Sequence, residues 1–179
     1  MEIVVPDEFQ YLYVQDQERP VVKIPHPILR QSCTEVARVT PKIEKLIDTM
    51  MKAMKKANGV GLAAPQMGSG LRLFVMQPLE MKPMAVINPV ITEKHGEQVG
   101  EEGCLSIPGL YGDVQRALKV VVEGFDRKGR GIALELEGLP ARVAQHEIDH
   151  LDGVLFIDKV DLATLHWVHP GGDPDDEEN

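Results

Sequence analysis

A pair of histidines four residues apart is the feature that most constrains how this chain can fold. His146 and His150 lie in a segment bounded by Pro140 and Gly153. In an α-helix, residues at positions i and i+4 share one face and lie about one turn apart. Proline suits the first turn of a helix, and glycine suits its end. The sequence therefore predicts a helix over residues 140–151 that presents both imidazoles on one face.

The same segment carries a glutamate, Glu147, directly after the first histidine. Two imidazoles on one helix face can bind one metal ion, and a glutamate between them can act as a general base. This His-Glu-x-x-His pattern is typical of metal-dependent hydrolases. A motif this short also arises by chance, so a pair of helix-face histidines beside a surface glutamate is the alternative.

A catalytic metal ion needs a third protein ligand and an open coordination position. Cys104 is the candidate, in a segment that reads Glu-Gly-Cys-Leu-Ser at residues 102–106. The neighbouring glycine allows close backbone approach, and acidic residues precede it. The other cysteine, Cys33, is expected to be a buried, inert thiol. Two cysteines do not form a disulfide framework, which favours a reducing compartment.

A glycine-containing loop precedes the cysteine segment. Residues 59–66 read Gly-Val-Gly-Leu-Ala-Ala-Pro-Gln. The loop lacks the Lys-Ser/Thr pair of a phosphate-binding loop and the strand-to-helix context of a dinucleotide fingerprint. Its small residues favour a loop that lets an extended peptide backbone approach.

The remaining pattern predicts an α+β fold with mixed or antiparallel sheets packed around a central C-terminal helix that carries the metal ligands. A Thr-Pro pair at residues 40–41 opens a first helix, and an Asn-Gly pair at residues 58–59 ends it. Its three methionines are expected to fill the core. Alternation and β-branched residues predict strands at residues 71–76, 84–91, 117–125 and 131–137.

Three parts of the chain differ in composition. Residues 1–20 are polar and irregular, residues 21–160 carry every motif and form the predicted catalytic domain, and residues 161–179 form a short acidic tail. We expect the end of the tail to be disordered. The net charge is −9, and no basic stripe indicates a DNA-binding surface.

The same composition bears on where the protein works. No apolar run approaches the roughly 18 residues of a membrane span. The first residues lack the basic and apolar regions of a signal peptide. These features predict a soluble protein of the cytoplasm or, as a mature chain, of an organelle stroma or matrix.

Taken together, three segments resemble the peptide deformylase family. The loop at residues 59–66, the cysteine segment at 102–106 and Gln-His-Glu-Ile-Asp-His-Leu-Asp-Gly at 145–153 stand in the family's order. The arm at residues 25–30 is also similar to the family's usual opening, and the resemblance covers residues 21–160. It implies a hydrolase that removes the formyl group from the N-terminal formylmethionine of new polypeptides and releases formate.

Positions that match the family's motifs receive their roles by this resemblance. Cys104, His146 and His150 would hold one divalent metal ion, natively Fe²⁺, which Zn²⁺, Ni²⁺ or Co²⁺ can replace. The side-chain amide of Gln66 and the backbone N–H of Leu105 would donate hydrogen bonds to the formyl oxygen as negative charge develops there. The glutamate between the histidines would carry a proton to the departing amine.

The resemblance also implies where the peptide binds. Its backbone would pair as an added strand along Val60, Gly61 and Gly103. The walls of the methionine pocket would be Val60, Leu139 and Val143, with the first histidine of the motif at the back.

Charged residues near the metal site are expected to support it. Glu102 and Arg116 would form an ion pair that steadies the strand carrying the cysteine, since such partners orient metal ligands. A surface pair of little energetic value is the alternative. Asp149 and Asp152 are expected to cap or solvate the helix end rather than bind metal.

Two other kinds of site stay open. A zincin-like metallopeptidase shares the two-histidine motif but needs a third ligand downstream, for which His166 and His169 are candidates. A closed structural zinc site needs four protein ligands, and Cys33 would have to be the fourth.

The expected partners are formylmethionyl nascent peptides. The chain has no Lys or Arg after Lys159, so its acidic tail is poorly suited to bind RNA electrostatically. Any contact with the ribosome is therefore expected to be transient.

Overall fold

The computed structural model describes residues 3–169 and contains two α-helices, eight β-strands and five short 3-10 helices. Helix α1 spans Pro41–Lys56, and helix α2 spans Leu139–Leu151. The strands are β1 (Gly61–Ala63), β2 (Leu73–Met76), β3 (Met84–His95), β4 (Gln98–Cys104), β5 (Ile107–Arg116), β6 (Lys119–Phe125), β7 (Gly131–Glu137) and β8 (His166–Trp167).

The strands form two antiparallel sheets. One has five strands in the order β1-β2-β3-β6-β7, and the other has three in the order β4-β5-β8. Helix α2 packs against β1, β2, β6 and β7, and most of its residues are buried. The predicted α+β fold with a buried C-terminal helix is therefore confirmed.

Helix α1 covers the edge of the larger sheet through an apolar stripe. The Thr40 hydroxyl accepts a hydrogen bond from the backbone N–H of Ile43 at 3.4 Å, which caps the helix at its predicted start. Ile47, Met50 and Met54 have no exposed surface and pack with residues of β2 and β3. The prediction that the methionines fill the core is thus confirmed for these two.

The observed strand boundaries agree best with the predicted ones where apolar and polar side chains alternate. β7 begins and ends as predicted, whereas β3 extends four residues beyond its predicted end at residue 91. β1 and β8 were not predicted, because they are only three and two residues long. β4 and β5 were not predicted, because their glycines and Pro108 weaken the strand signal. Pairing across the β4–β5 hairpin supplies the hydrogen bonds that make these segments strands.

The arm before α1 joins two of the three motifs. The Val22 N–H donates to the Gln66 carbonyl at 2.8 Å, and the Ile24 N–H donates to the Ser106 carbonyl at 3.1 Å. Further along the same segment, Pro27–Arg30 forms a 3-10 helix that the sequence analysis did not predict.

The chain ends contain more structure than the sequence analysis expected. Asp7–Tyr13 forms a 3-10 helix within the segment interpreted as irregular, and His166–Trp167 of the acidic tail forms β8. The predicted disordered end of the tail lies outside the described residues. No helix within residues 3–169 combines the length and the apolar character of a membrane span.

The burial of α1 gives a direct test of this packing. Replacing Ile47 by alanine should lower the free energy of unfolding by about 2–5 kcal/mol, because it removes fully buried methyl groups and leaves a cavity. Lys52→Ala, on the exposed face of the same helix, should change it by less than about 0.5 kcal/mol. Equal effects of the two substitutions in urea unfolding would contradict the assigned buried face.

Candidate active site

The three sequence motifs converge at one end of helix α2. Cys104 ends strand β4, and His146 and His150 project from α2. The Cys104 Sγ lies 3.2 Å from the Nε2 of His150, and one ligand atom from each of the three residues lies within 4.8 Å of the others. The fold therefore places one thiol and two imidazoles where a single ion could contact all three.

The electrostatics of this cluster favour a thiolate. Burial opposes ionisation of Cys104, but the charges and hydrogen bonds of His150 and His146 outweigh it and hold the thiol pKa well below its usual value. The Nδ1 atom of His150 is buried and has no hydrogen-bond partner among residues 3–169. A thiolate and two imidazoles suit Fe²⁺, Zn²⁺ and related divalent ions, so the residues present fit a metal ion.

His146 is oriented by a buried carboxylate. Its Nδ1 lies 2.9 Å from the Oε2 of Glu102, which leaves Nε2 as the nitrogen available to an ion. Contacts of this kind hold an imidazole ring in place and select its tautomer. Burial alone would raise the pKa of Glu102, but Arg116 and His146 outweigh it and hold this pKa well below its usual value.

Glu102 is the centre of a buried ionic network. Arg116 donates two hydrogen bonds to it at 2.9 Å each, and Arg142 donates a third at 2.8 Å. The side chains of Glu102 and Arg116 are only 4% and 3% exposed, so the pair is not the surface contact weighed as the alternative. Arg116 also contacts Asp149, which Lys159 contacts from its other side at 2.8 Å.

The sequence analysis missed the part that Arg142 takes in this network. The residue lies on α2 four positions before His146, so the two share a helix face. It also donates to the carbonyl oxygens of Gly100 and Val114, and in this way links α2 to both long strands of the smaller sheet. The helical spacing alone could have identified Arg142 as a companion of the motif.

Glu147 lies fully inside the site. Its Oε2 is buried and has no hydrogen-bond partner in the described part of the chain. Burial raises the pKa of this carboxyl to about 7, against the opposing charges of His146 and His150. A side chain at Gly61 would lie 2.3 Å from its Oε1, so the glycine is what leaves room for the carboxylate.

Gln66 reaches the cluster from the glycine-containing loop. Its Oε1 accepts a hydrogen bond from the Ala63 N–H at 2.9 Å, which directs Nε2 toward Cys104. Nε2 lies 3.6 Å from the Cys104 Sγ and donates to the Ser106 hydroxyl at 3.2 Å. Ser106 has no exposed surface, and the sequence analysis assigned it no role.

A cleft of about 410 Å³ opens beside these residues. Glu147 and His146 line it, together with Gln66 and Leu105. All five residues expected to contact a peptide also line it, namely Val60, Gly61, Gly103, Leu139 and Val143.

The additional ligands that a zincin or a closed structural zinc site would require lie outside the three-residue cluster. Cys33 is half-buried rather than buried as expected, and it packs against the core beside Leu151 at the C-terminal end of α2. It does not belong to the three-residue cluster, which is the one such group within residues 3–169. His166 lies 3.4 Å from Glu101, and His169 stacks on Phe9. Asp152 contacts Arg72 at 2.6 Å.

The network around Glu102 predicts a coupled loss of stability and metal affinity. Glu102→Gln should reduce metal affinity by about 10–100-fold, because His146 loses the partner that orients it. It should also destabilise the protein by about 3–5 kcal/mol, since it removes the buried negative charge that pairs with Arg116 and Arg142. Glu101→Gln, the exposed neighbour, is the control for metal titration and unfolding, and a loss equal to that of Glu102→Gln would argue against the network.

Comparison with known proteins identifies the family. The chain matches the family described as polypeptide deformylase over residues 18–165. It is 50% identical to the peptide deformylase of Desulfitobacterium hafniense over 139 residues, 78% of this chain and 92% of that protein. It is 44% identical to that of Desulforudis audaxviator over 140 residues, 78% of this chain and 91% of that protein.

A solved structure agrees with this result. The peptide deformylase of Thermus thermophilus has a TM-score of 0.77 and 48% sequence identity, over 79% of this chain and 85% of that one. Nothing in the site or in these comparisons favours a zincin. The chain belongs to the polypeptide deformylase family, metal-dependent hydrolases that remove the formyl group from an N-terminal methionine.

Proposed function

We propose that Cys104, His146 and His150 hold one divalent ion, natively Fe²⁺, beside a cleft that binds the formylated N-terminus of a nascent peptide. The observation that carries this proposal is the convergence of the three ligand atoms within 4.8 Å, next to a buried glutamate. When bound, the ion would supply Lewis-acid chemistry, which polarises a carbonyl group and makes water acidic. Zn²⁺, Ni²⁺ or Co²⁺ could replace it in the same ligand set.

Glu147 is the proposed general base and acid. Its Oε2, which has no hydrogen-bond partner among residues 3–169, can accept a proton from the water that attacks the formyl carbon. As the new C–O bond forms and the C–N bond breaks, the same carboxyl group gives that proton to the departing amine. Burial raises the pKa of this carboxyl group above its usual value, which favours a group that both takes up and gives back a proton.

Gln66 and Leu105 are the proposed donors to the formyl oxygen. The side chain of Gln66 is held by contacts at both ends, through Ala63 and Ser106, so its amide is ordered before substrate arrives. Donors that are already in place stabilise developing negative charge without a cost of reorganisation. The backbone N–H of Leu105 lies in the turn that follows Cys104, and Leu105 lines the same cleft as Gln66.

The peptide is proposed to enter as an added strand along Val60, Gly61 and Gly103. Leu139 and Val143 then form the apolar walls for the methionine side chain, with His146 behind them. Val143 is 5% exposed and Leu139 is 49% exposed, so one wall is rigidly packed and the other lies at the mouth of the cleft.

Because its proposed substrates are nascent chains, the enzyme is proposed to act beside the ribosome, in the cytoplasm or in an organelle stroma or matrix. The acidic residues at 173–178 disfavour electrostatic docking of the tail on RNA. The proposed contact with the ribosome is therefore transient.

Formate release tests the proposed base. The enzyme loaded anaerobically with Fe²⁺ should release formate from formyl-Met-Ala-Ser, and Glu147→Gln should lower kcat by about 10²–10⁴-fold while keeping its metal. Glu135→Gln, at an exposed position of β7, should retain full activity. Near-normal turnover by Glu147→Gln would exclude Glu147 as the base, whereas an unmodified Fe²⁺-loaded enzyme that releases no formate would contradict the proposed function.

A pair of glycine substitutions tests the position of the carboxylate. Gly61→Ala should reduce kcat/KM by about 10²-fold, because its methyl group displaces the Glu147 side chain. Gly70→Ala meets open space and should leave kcat/KM within about two-fold of the unmodified value. Metal content, measured in both variants, should stay the same. Activity retained in Gly61→Ala would mean that the carboxylate works from another position.

A further inference from the structure

Both ends of the described chain pack against the strand that borders the cleft. The 3-10 helix Asp7–Tyr13 contacts β5, and β8 pairs with β5 so that Leu110 lies opposite Trp167. We call these two segments, residues 7–13 and 166–169, the terminal clamp. The family match covers residues 18–165, so both halves of the clamp lie outside the matched stretch.

Phe9 joins the two halves of the clamp. Its side chain is only 4% exposed, and its ring centroid lies 4.9 Å from that of Trp167 and 4.3 Å from that of His169. The rings of Phe9 and His169 are nearly parallel, with an interplanar angle of 16°. Through these aromatic contacts, Phe9 packs the first segment of the clamp against the second.

The clamp lies directly behind one wall of the cleft. Gly109 lines the cleft together with Pro108 and Tyr111. A Cβ at Gly109 would lie 2.9 Å from the Phe9 ring, and the Val168 N–H donates to the Gly109 carbonyl at 2.7 Å. Gly109 also has φ +84°, a conformation that only glycine adopts easily. The same stretch of backbone therefore faces the cleft on one side and the clamp on the other.

The wall reaches the strand proposed to pair with substrate. Tyr111 lies opposite Gly103 in the β4–β5 hairpin, and a Cβ at Gly103 would lie 2.5 Å from the Tyr111 ring. A shift of the wall would therefore move an aromatic ring against the backbone of Gly103. A displacement of strand β5 would thus change how a peptide can bind along Gly103 of strand β4.

We propose that the terminal clamp holds the Pro108–Tyr111 wall in its peptide-binding position, and that Phe9 is a positioning residue for substrate binding. The proposal rests on the cleft being the peptide site, as argued above. Phe9 itself does not line the cleft, so it acts through Gly109. The metal ligands lie on β4 and α2 and do not depend on Phe9 for their contacts.

Phe9→Ala separates a positioning role from a merely structural one. It should raise KM for formyl-Met-Ala-Ser by about five-fold or more, with kcat within about two-fold and metal content unchanged. In a Glu147→Gln background, which binds but does not turn over, the Kd for the same peptide should rise by a similar factor. Phe9→Leu, which keeps an apolar side chain against Gly109, should restore most of the binding.

Tyr11→Ala is the matched control, because this aromatic residue belongs to the same 3-10 helix but is 52% exposed. It should leave KM and Kd unchanged. The proposal is overturned if Phe9→Ala leaves both constants unchanged, or if it lowers kcat and metal content as much as it weakens binding. If Phe9→Ala does not fold, the same criteria apply to Trp167→Ala, which removes the ring that packs on Phe9 from the other half of the clamp. Failure of the unmodified enzyme to release formate would instead contradict the proposed function.

Discussion

The carboxylate of Glu102 lies among Arg116, Arg142 and His146 and joins strand β4 to helix α2. Removing a charged group from water costs several kcal/mol, so a carboxylate this deeply buried is stable only when hydrogen bonds surround it. Its neighbours satisfy both of its oxygens. The same contacts set the distance between β4, which carries Cys104, and α2, which carries the two histidines. The geometry of the three proposed metal ligands therefore depends on this one buried anion.

Helix α2 connects this buried carboxylate to the rest of the site. It packs against the larger sheet through β1 and β2, and it bonds to the smaller sheet through Arg142. Gly61 on β1 allows the helix to approach so closely that Glu147 fills the space where a side chain would be. The cleft thus lies between two sheets that one helix holds together, and the chain ends support its outer wall from behind through Gly109.

Local signals predicted the two helices well, because capping residues and apolar spacing act over a few neighbouring positions. The strands β4 and β5 escaped prediction, since Gly103, Pro108 and Gly109 weaken a strand in isolation and only hairpin pairing compensates. The contact between Glu102 and Arg116 was predicted from the sequence, whereas its burial was not. Arg142 was missed although its helical spacing from His146 was available in the sequence.

The sequence by itself determined the chemistry: a thiol, two imidazoles, a carboxyl group and an amide in three ordered motifs. Residue types and short spacings carry that information, because helix periodicity alone aligns His146 with His150. The tertiary structure decided that Cys104 meets them, that Glu102 is a buried anion with three partners, and that Phe9 lies behind Gly109. These contacts join residues far apart in the chain, and they exist only once the two sheets have packed around α2.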